Sequence, residues 1–219
     1  MELGLLGEYL PVFAQAAWLT LGVGLAGVGL SVAVGALCAA VRHWRVPLAG
    51  RVVSGYTELA RNTPLVVQLF FLYFGLPKVG IVLSSAACAV IGLAFLGGAY
   101  MSEAFRAGIQ AVPVIQSESA LSLGLSRGLT LTRVVLPQAM AFAMPAVAAN
   151  TVFLIKETSV VSIVALPDLM FVAKDLIGAD YNTAEALTLL VAGYLVIVLP
   201  LSLGAARLES KVRGAVFGN

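Results

Sequence analysis

Long runs without a charged side chain dominate this chain, and short polar segments separate them. Such runs cover residues 9–41, 62–77, 79–102, 134–155 and 186–206. A helix needs about 20 apolar residues to cross the hydrocarbon core of a bilayer, so the pattern predicts five spans over roughly 12–41, 52–76, 80–105, 134–158 and 184–207. The second span takes Glu58 and Arg61 into or near the bilayer. Between the last two spans, the apolar segment from Val160 to Leu166 is too short to cross, and it predicts a short, partly buried helix on the outer side.

Composition supports a membrane protein. The chain is 60% hydrophobic and 11% charged, with a mean hydropathy of +1.00, whereas soluble domains average roughly 45–50% and about 25%. We therefore expect an all-α integral membrane protein in which residues 1–219 form a single transmembrane domain. No segment is left for a second domain, so any energy source lies on another subunit. A net charge of +2 gives no reason to expect a nucleic-acid partner, which leaves membrane lipid as the surrounding medium.

The basic residues predict the orientation, because cytoplasmic loops carry an excess of Lys and Arg. In the five-span arrangement one side holds Arg42, Arg45, Arg51, Arg106, Arg127, Arg133, Arg207, Lys211 and Arg213. The other side holds Lys78, Lys156 and Lys174 together with Glu2, Glu8, Asp168, Asp175 and Asp180. The N-terminus is expected outside and the C-terminus in the cytoplasm.

Little in the sequence suggests covalent chemistry. His43 is the only histidine, and Cys38 and Cys88 lie inside apolar runs, where cysteine acts as a small hydrophobic residue. A phosphate-binding loop ending in Gly-Lys-Ser/Thr does not occur. We expect no catalytic residue, no metal site and no cofactor on this chain.

The one long inner segment, residues 106–133, predicts a helix–turn–helix. A helix begins near Pro113, Gly124 suits a helix C-terminus, and Ser126 suits the N-cap of a second helix that leads into the fourth span. The first helix would turn Glu118 and Leu121 toward the cytoplasm. It could dock on a partner or lie on lipid headgroups, and the pattern alone leaves both open.

This segment resembles a known motif. Glu118-Ser-Ala-x-x-x-Gly124, followed by Val135-Leu136-Pro137-Gln138, is similar to the "EAA" loop of permease subunits of ATP-binding-cassette (ABC) importers, with departures at Ile115 and Ser119. The resemblance implies the type I ABC importer fold and a coupling helix that docks on the ATPase. It assigns ATPase coupling to Glu118, Ala120, Leu121, Leu123 and Gly124.

Four further motifs narrow the resemblance. They are Glu58-Leu-Ala-Arg61-Asn62-Thr63-Pro64-Leu-Val-Val-Gln68, Tyr100-Met-Ser-Glu103-Ala-Phe-Arg106-Ala-Gly108-Ile109, Asn150 and Lys156-Glu157-Thr158-Ser159. Together they resemble the polar amino acid uptake branch, which includes histidine, glutamine and arginine permeases of the bacterial inner membrane. The resemblance implies import of a polar or cationic amino acid by alternating access.

The same resemblance implies the partners. They are a second permease subunit, identical or a paralogue, two ATPase subunits that hold ATP and Mg, and an external substrate-binding protein. A permease for methionine or a quaternary amine is an alternative that shares the coupling loop but does not account for Asn62-Thr63-Pro64 and Lys156-Glu157-Thr158-Ser159. An ion-coupled carrier without an ATPase would leave the segment from Glu118 to Gly124 without a purpose, and a membrane enzyme lacks a nucleophile–base pair.

Candidate substrate residues come from two places. Arg61-Asn62-Thr63-Pro64 predicts a helix break in which Thr63 caps and Pro64 begins the next turn, so that free N–H groups meet a substrate carboxylate. The alternative is a kink at Pro64, with Asn62 and Thr63 satisfying the backbone. Asn150 and Glu157 are seven residues apart, which places them on one helix face about 10 Å apart.

An ionisable residue at membrane depth is functional or paired by default. Glu157 is thus the candidate for the substrate's ammonium or cationic group, with Lys156 or Arg61 as alternative partners. Thr158 and Ser159 could bind a zwitterion or bond to their own helix. The predicted substrate-binding set, with Gln68 added from the motif, is Asn62, Thr63, Gln68, Asn150, Glu157, Thr158 and Ser159.

Three polar features are assigned to structure instead. Glu58 and Arg61 are three residues apart, as are Glu103 and Arg106, a spacing that permits ion pairs within a helix near the cytoplasmic gate. Asp168, after Pro167, is expected to cap the short outer helix.

Overall fold

A computed structural model describes residues 3–44 and 46–218, so Glu2 and Arg45 of the charge pattern lie outside the described residues. All regular elements in this part of the chain are helical, which confirms the all-α prediction. The α-helices are α1 (Leu3–His43), α2 (Pro47–Asn62), α3 (Leu65–Phe70), α4 (Ser85–Ala111), α5 (Val114–Ser122), α6 (Arg127–Thr130), α7 (Leu136–Glu157), α8 (Leu169–Asp180) and α9 (Thr183–Phe217). A π-helical turn, Leu131–Val135, joins α6 to α7, and the turns Phe71–Gly75 and Leu76–Val79 extend α3.

Four segments are long and apolar enough to cross a membrane on their own, namely Gly7–His43, Ser85–Ala111, Arg127–Val164 and Thr183–Val216. The fifth crossing is the bent pair Pro47–Asn62 and Leu65–Val79, which turns by 106°. The five-span prediction therefore holds only if this pair counts as one span, and the predicted helix break at Arg61–Pro64 lies inside it, at Thr63 and Pro64.

Two predicted boundaries also need correction. The third span continues to Ala111, so the inner segment does not leave the helix at Arg106 as the range 106–133 implied. Apolar Ile109, together with Gly108 packed on α7, extends the helix by more than a turn. Residues 158–183 form a 3₁₀ helix, Thr158–Val164, followed by α8, rather than one short helix.

Glycine allows α1 and α4 to lie close together. A Cβ atom added to Gly27 would lie 2.7 Å from the Leu93 Cβ, and one added to Gly35 would lie 2.8 Å from the backbone N of Ser102. Between these points the Ser31 hydroxyl donates to the Leu93 carbonyl at 3.2 Å. The contacts advance in the same order along both helices, so α1 and α4 are parallel.

The other spans alternate in direction around α1 and α4. Gly97 of α4 packs on Leu154 of α7, whereas Gly108 packs on Ala139, so these two helices are antiparallel. The Asn182 side-chain amide donates to the Tyr9 hydroxyl at 3.3 Å, which places the start of α9 near the start of α1. The ends of α1 and α4 and the start of α7 consequently lie at one end of the molecule, as five alternating crossings require.

A polar cluster ties α1, α2 and α4 together at that end. The Arg42 guanidinium donates to the Glu103 carboxylate and, at 2.6 Å, to the Thr57 hydroxyl. Arg106 donates to Glu103 Oε2 at 2.6 Å and to Gln110 Oε1 at 2.9 Å. The predicted Glu103–Arg106 ion pair is confirmed, and Arg42 joins it from the neighbouring helix.

Asp168 caps α8, as expected. Its Oδ1 accepts from the Phe171 N–H at 2.8 Å, while the Thr20 hydroxyl oxygen accepts from the Leu169 N–H at 3.1 Å and joins α8 to α1. The Asp168 side chain is 1% exposed. Burial raises its pKa to about 6, although the Phe171 N–H and the Lys174 charge oppose that rise.

Candidate functional site

The break in the second span lies at Thr63 and Pro64, both of which have extended backbone conformations. The Thr63 hydroxyl donates back to the Leu59 carbonyl at 2.7 Å, and the Asn62 amide donates to the Glu58 carbonyl at 2.8 Å. Both side chains bond to the backbone of α2, which agrees with the alternative of a kink at Pro64. The prediction that Thr63 caps the next helix is wrong, because its hydroxyl satisfies a carbonyl at the end of α2 instead. Pro64 occupies the N-cap position of α3 instead of its first turn.

Gln68 of α3 forms hydrogen bonds with the end of α2 across the bend. Its side-chain Nε2 donates to the Ala60 carbonyl before the break and to the Thr63 carbonyl within it, both at 3.0 Å. The side chain is only 9% exposed. It lines a separate, largely apolar cavity of about 370 Å³ together with Thr63, Val67 and Phe71. The geometry therefore gives Gln68 a part in holding the bend.

The bend opens a cavity of about 360 Å³ between α2, α3, α4 and α7, with both polar and apolar side chains in its wall. Among the predicted substrate residues, Asn62, Thr63 and Glu157 line it. Arg61 lines it as well, so one cavity holds a guanidinium and a carboxylate. The remaining lining residues include Pro64, Leu65, Val66, Leu96, Tyr100, Phe153 and Val160.

Aromatic rings hold one wall of this cavity. The Arg61 guanidinium carbon lies 5.6 Å from the centre of the Tyr100 ring, within range of a cation–π interaction. Tyr100 meets Phe153 edge-on, with ring centres 5.5 Å apart. The predicted Glu58–Arg61 ion pair is wrong, because Arg61 lies over Tyr100 while the Glu58 carboxylate accepts from the Asn62 amide at 3.2 Å.

Glu157 is the last residue of α7 and is half-buried. Within the described part of the chain its carboxylate forms no ion pair or hydrogen bond, so neither Lys156 nor Arg61 pairs with it directly. The Glu157 carboxylate therefore faces the cavity.

Besides Gln68, three predicted substrate residues do not line this cavity. Asn150 lies further down α7, beyond Phe153. Thr158 is 1% exposed and donates to the Ile155 carbonyl at 2.7 Å, as the alternative held. Ser159 lies in the 3₁₀ helix, where its carbonyl accepts from Ser162 at 3.2 Å. The switch from α- to 3₁₀-helix after Glu157 changes the direction of the side chains that follow.

Sequence reasoning did not assign Arg61, Tyr100 or Phe153 to the site. A signal was present for Phe153, which precedes Glu157 by four residues and so shares its helix face. Tyr100 belongs to one of the family-like motifs, but its position in the sequence does not indicate a role.

The segment predicted to couple to the ATPase, residues 106–133, is called the coupling segment. Its helix–turn–helix forms as Pro113, Gly124 and Ser126 predict. Gly124 has a φ of +85°, its N–H donates to the Leu121 carbonyl at 2.9 Å, and the Ser126 hydroxyl caps α6 at 3.3 Å from the Leu129 nitrogen. Glu118 is exposed, and Leu121 and Leu123 are 43% and 81% exposed. Ala120 is the exception among the predicted coupling residues, because it is 6% exposed and faces the protein's own core.

Four candidate spans, a bent helix pair with a cavity at its break that holds Arg61 and Glu157, and an exposed helix–turn–helix at one end are the features of a membrane permease subunit. The chain belongs to the family of binding-protein-dependent transport system inner membrane components, whose profile matches residues 31–214. The resemblance to permeases of ABC importers is thereby confirmed.

Individual relatives agree with this family. The chain is 34% identical over 205 residues to the probable glutamine ABC transporter permease protein GlnP of Bacillus subtilis, covering 92% of this chain and 94% of that protein. It is 37% identical over 159 residues to the arginine transport system permease protein ArtQ of the same organism, covering 72% and 73%.

Solved structures share the fold. An amino acid ABC transporter crystallised with histidines superposes with a TM-score of 0.89 at 30% identity, covering 96% of this chain and 99% of that one. The MetNI methionine ABC transporter superposes with a TM-score of 0.78 at 17% identity, which shows a common fold only.

Proposed function

We propose that this chain is the subunit through which an ABC importer carries a polar or cationic amino acid across the membrane. The observation that carries the proposal is the presence of Arg61 and Glu157 in one cavity at the helix break. An amino acid is a zwitterion, and this cavity offers a cation for its carboxylate and a carboxylate for its ammonium. The names of the glutamine and arginine permeases among the relatives support the same substrate class.

The polar and aromatic residues at the helix break each have a role in this proposal. Arg61 binds the substrate carboxylate because a guanidinium presents paired N–H donors, and Asn62 lies beside it. Glu157 binds the α-ammonium or a cationic side chain. Tyr100 and Phe153 orient Arg61 and offer ring faces to the aliphatic part of the substrate. Thr63 and Gln68 shape the bend, while contacts of Asn150, Thr158 and Ser159 with the substrate remain predictions.

The energy for transport comes, in this proposal, from ATP and Mg bound by two separate ATPase subunits. The exposed face of α5 meets them through Glu118, Leu121 and Leu123, with Gly124 shaping the turn. A second permease subunit, identical or a paralogue, completes the pathway, and an external binding protein delivers the substrate. The proposed orientation has the N-terminus outside and the C-terminus in the cytoplasm of a bacterium, since the basic residues collect at the end that holds the coupling segment.

A transport assay tests the proposal. The complex is purified, reconstituted in proteoliposomes with its binding protein, and given a panel of radiolabelled amino acids with and without ATP. We expect uptake of a polar or cationic amino acid only with ATP. Uptake along an ion gradient without ATP would favour an ion-coupled carrier, and uptake restricted to methionine or a quaternary amine would favour another importer class.

A further inference from the structure

A further cavity, distinct from the two near the helix break, lies beside the coupling segment. It has a volume of about 470 Å³ and is enclosed by the end of α1, the end of α4, α5, α6 and the π-helical turn before α7. Six of its lining residues matter for its chemistry: His43, Ile109, Ser117, Arg127, Leu131 and Val135. The transport mechanism proposed above gives a role to one further lining residue, Leu121, and assigns no ligand to the cavity.

The cavity is apolar at one end and cationic at the other. His43 ends the candidate span Gly7–His43 and Arg127 begins the candidate span Arg127–Val164, so both basic residues lie at the end of the molecule where these spans finish or begin. Leu131 and Val135 follow Arg127 on the helical segment that leads into α7, so this apolar wall runs from the basic end toward the spans. An apolar wall that begins at a basic group matches a molecule with an acyl chain and an anionic head.

The charge at the basic end is uncompensated. Among the described residues, those that line the cavity include Arg127 and His43 but no aspartate or glutamate. Within the described part of the chain, Arg127 and His43 are both exposed, and neither forms an ion pair. A guanidinium is always charged at physiological pH and is suited to bidentate recognition of a phosphate.

We propose that this cavity binds one anionic phospholipid from the adjoining leaflet. The phosphate lies at Arg127 and His43, and an acyl chain follows Ile109, Leu131 and Val135 into the membrane. A free phosphate would use only the basic end, whereas the bilayer supplies both parts of the ligand at the required depth. Because Ser117 and Leu121 of α5 also line the cavity, the lipid would brace the coupling helix against α1 and α4. The inference is independent of which solute is carried.

Lipid titration followed by native mass spectrometry tests the proposal. The full-length chain, purified with its associated subunits and stripped of lipid, is titrated with long-chain phosphatidylglycerol, long-chain phosphatidylcholine and short-chain phosphatidylglycerol. We expect one phosphatidylglycerol per chain to bind more tightly than either comparison lipid. Arg127→Gln should weaken that binding roughly fivefold, the effect of one basic residue at an anionic surface. Arg127→Lys should retain most of it.

Arg207→Gln is the matched control, since Arg207 is an exposed basic residue on α9 that does not line the cavity. An equal loss in Arg207→Gln and Arg127→Gln would overturn the proposal, because the attraction would then be general surface charge. So would equal binding of phosphatidylglycerol and phosphatidylcholine, or of long and short chains. Displacement by inorganic phosphate would identify a free-anion site, and exclusion of lipid by the bound ATPase would assign the cavity to the ATPase contact.

Discussion

At the scale of single residues, Glu157 offers the sharpest test of the proposed substrate site. It faces a cavity that also holds Arg61, and it has no ion-pair partner within the described residues. An unpaired charge that lies partly out of water is costly unless a ligand compensates it. Its neutralisation should therefore change binding more than folding.

We expect Glu157→Gln to remain folded and to lose transport in one of two patterns. If the carboxylate meets a cationic side chain, uptake of arginine, lysine or histidine falls at least tenfold and neutral amino acids are spared. If it meets the α-ammonium, all amino acids lose uptake alike. A competition panel distinguishes these patterns. Glu209→Gln is the control, because Glu209 pairs with Arg213 at 3.7 Å on α9, away from the cavity. Unchanged uptake of every amino acid would remove Glu157 from the site.

Asp168 gives a pH-dependent prediction outside the spans. Its pKa in the folded protein is about 6, above the reference value of 3.8, so the neutral form is favoured by the fold. Stability from this group is therefore present below about pH 4 and is lost as the pH rises through about 6. The difference corresponds to roughly 3 kcal/mol if fully expressed.

The measurement is the melting temperature of the wild type and of Asp168→Asn from about pH 4 to about pH 7. Asparagine keeps a side-chain acceptor for the Phe171 N–H but cannot ionise. The melting temperature of the variant should rise relative to the wild type as the pH increases. A difference that stays constant across this range would contradict the assignment.

Sequence reasoning located the candidate site but not all of its side chains. Glu157 was predicted because an ionisable residue at membrane depth is costly, and because it shares a helix face with Asn150. Arg61 was placed in a helix ion pair by its spacing from Glu58, and the competing partner, the Tyr100 ring, lies on another helix. Thr158 shares the motif but is turned inward, because the helix tightens at that point. Which neighbours meet across helices depends on packing that spacing within one helix does not specify.

At the scale of elements, close helix packing depends on glycines at particular positions. Gly35 faces the backbone of α4, where an added Cβ would lie 2.8 Å from the Ser102 nitrogen, while Gly29 on the same helix has nothing within 4 Å of an added Cβ. Backbone cannot move aside as a flexible side chain can. Lipid offers no hydrophobic drive for helices to associate, so such contacts carry much of the packing energy.

We therefore expect Gly35→Ala to destabilise the protein by about 1–3 kcal/mol, as overpacking generally does. Gly29→Ala should have little effect or be slightly stabilising, because alanine favours the helix. Thermal unfolding of the two variants in detergent, compared with the wild type, measures the difference. Equal melting temperatures for both variants would mean that the α1–α4 contact can relax.

The helix–turn–helix shows what a sequence reveals well. Pro113, Gly124 and Ser126 each fix a local backbone state, so the limits of α5 and the start of α6 follow from residue chemistry without tertiary information. The ends of the spans are harder to predict from the sequence. Residues 106–111 remain helical because Gly108 packs against α7, and the neighbouring sequence does not predict that contact.

Gly124→Val tests the turn. A β-branched residue at a φ of +85° is strained by roughly 1–2 kcal/mol, so the turn should shift while the spans remain folded. We expect loss of ATPase association or of substrate-stimulated hydrolysis, measured by co-purification and phosphate release. Gly128→Val is the matched control, because Gly128 lies in α6 with nothing within 4 Å of an added Cβ. Full coupling in Gly124→Val would count against the coupling assignment.

At the scale of the whole molecule, the polar cluster and the helix break lie on the same element. α2 begins at the end that holds the coupling segment, contacts Arg42 through Thr57, and ends at Asn62 on the rim of the proposed substrate cavity. In the proposed mechanism, a movement of the coupling segment reaches this cavity through α4 and α2. This path requires that α2 run away from the proposed cytoplasmic end, so the mechanism depends on the topology of the bent pair.

Cysteine labelling tests that topology. Single substitutions Arg51→Cys and Lys211→Cys should react with a membrane-impermeant thiol reagent only from the cytoplasmic side, and Lys78→Cys only from the outside. All three positions are exposed, whereas the native Cys38 and Cys88 are 7% and 0% exposed and should provide a silent background. The physical reason is the charge pattern, since the basic residues gather at the end where α1 and α4 finish and α7 begins. The measurement uses intact cells and inside-out vesicles from the same preparation.

Labelling of residues 51 and 78 from one face would show that the bent pair re-enters the membrane without crossing it. The chain would then have four crossings, and its N- and C-termini would lie on the same side.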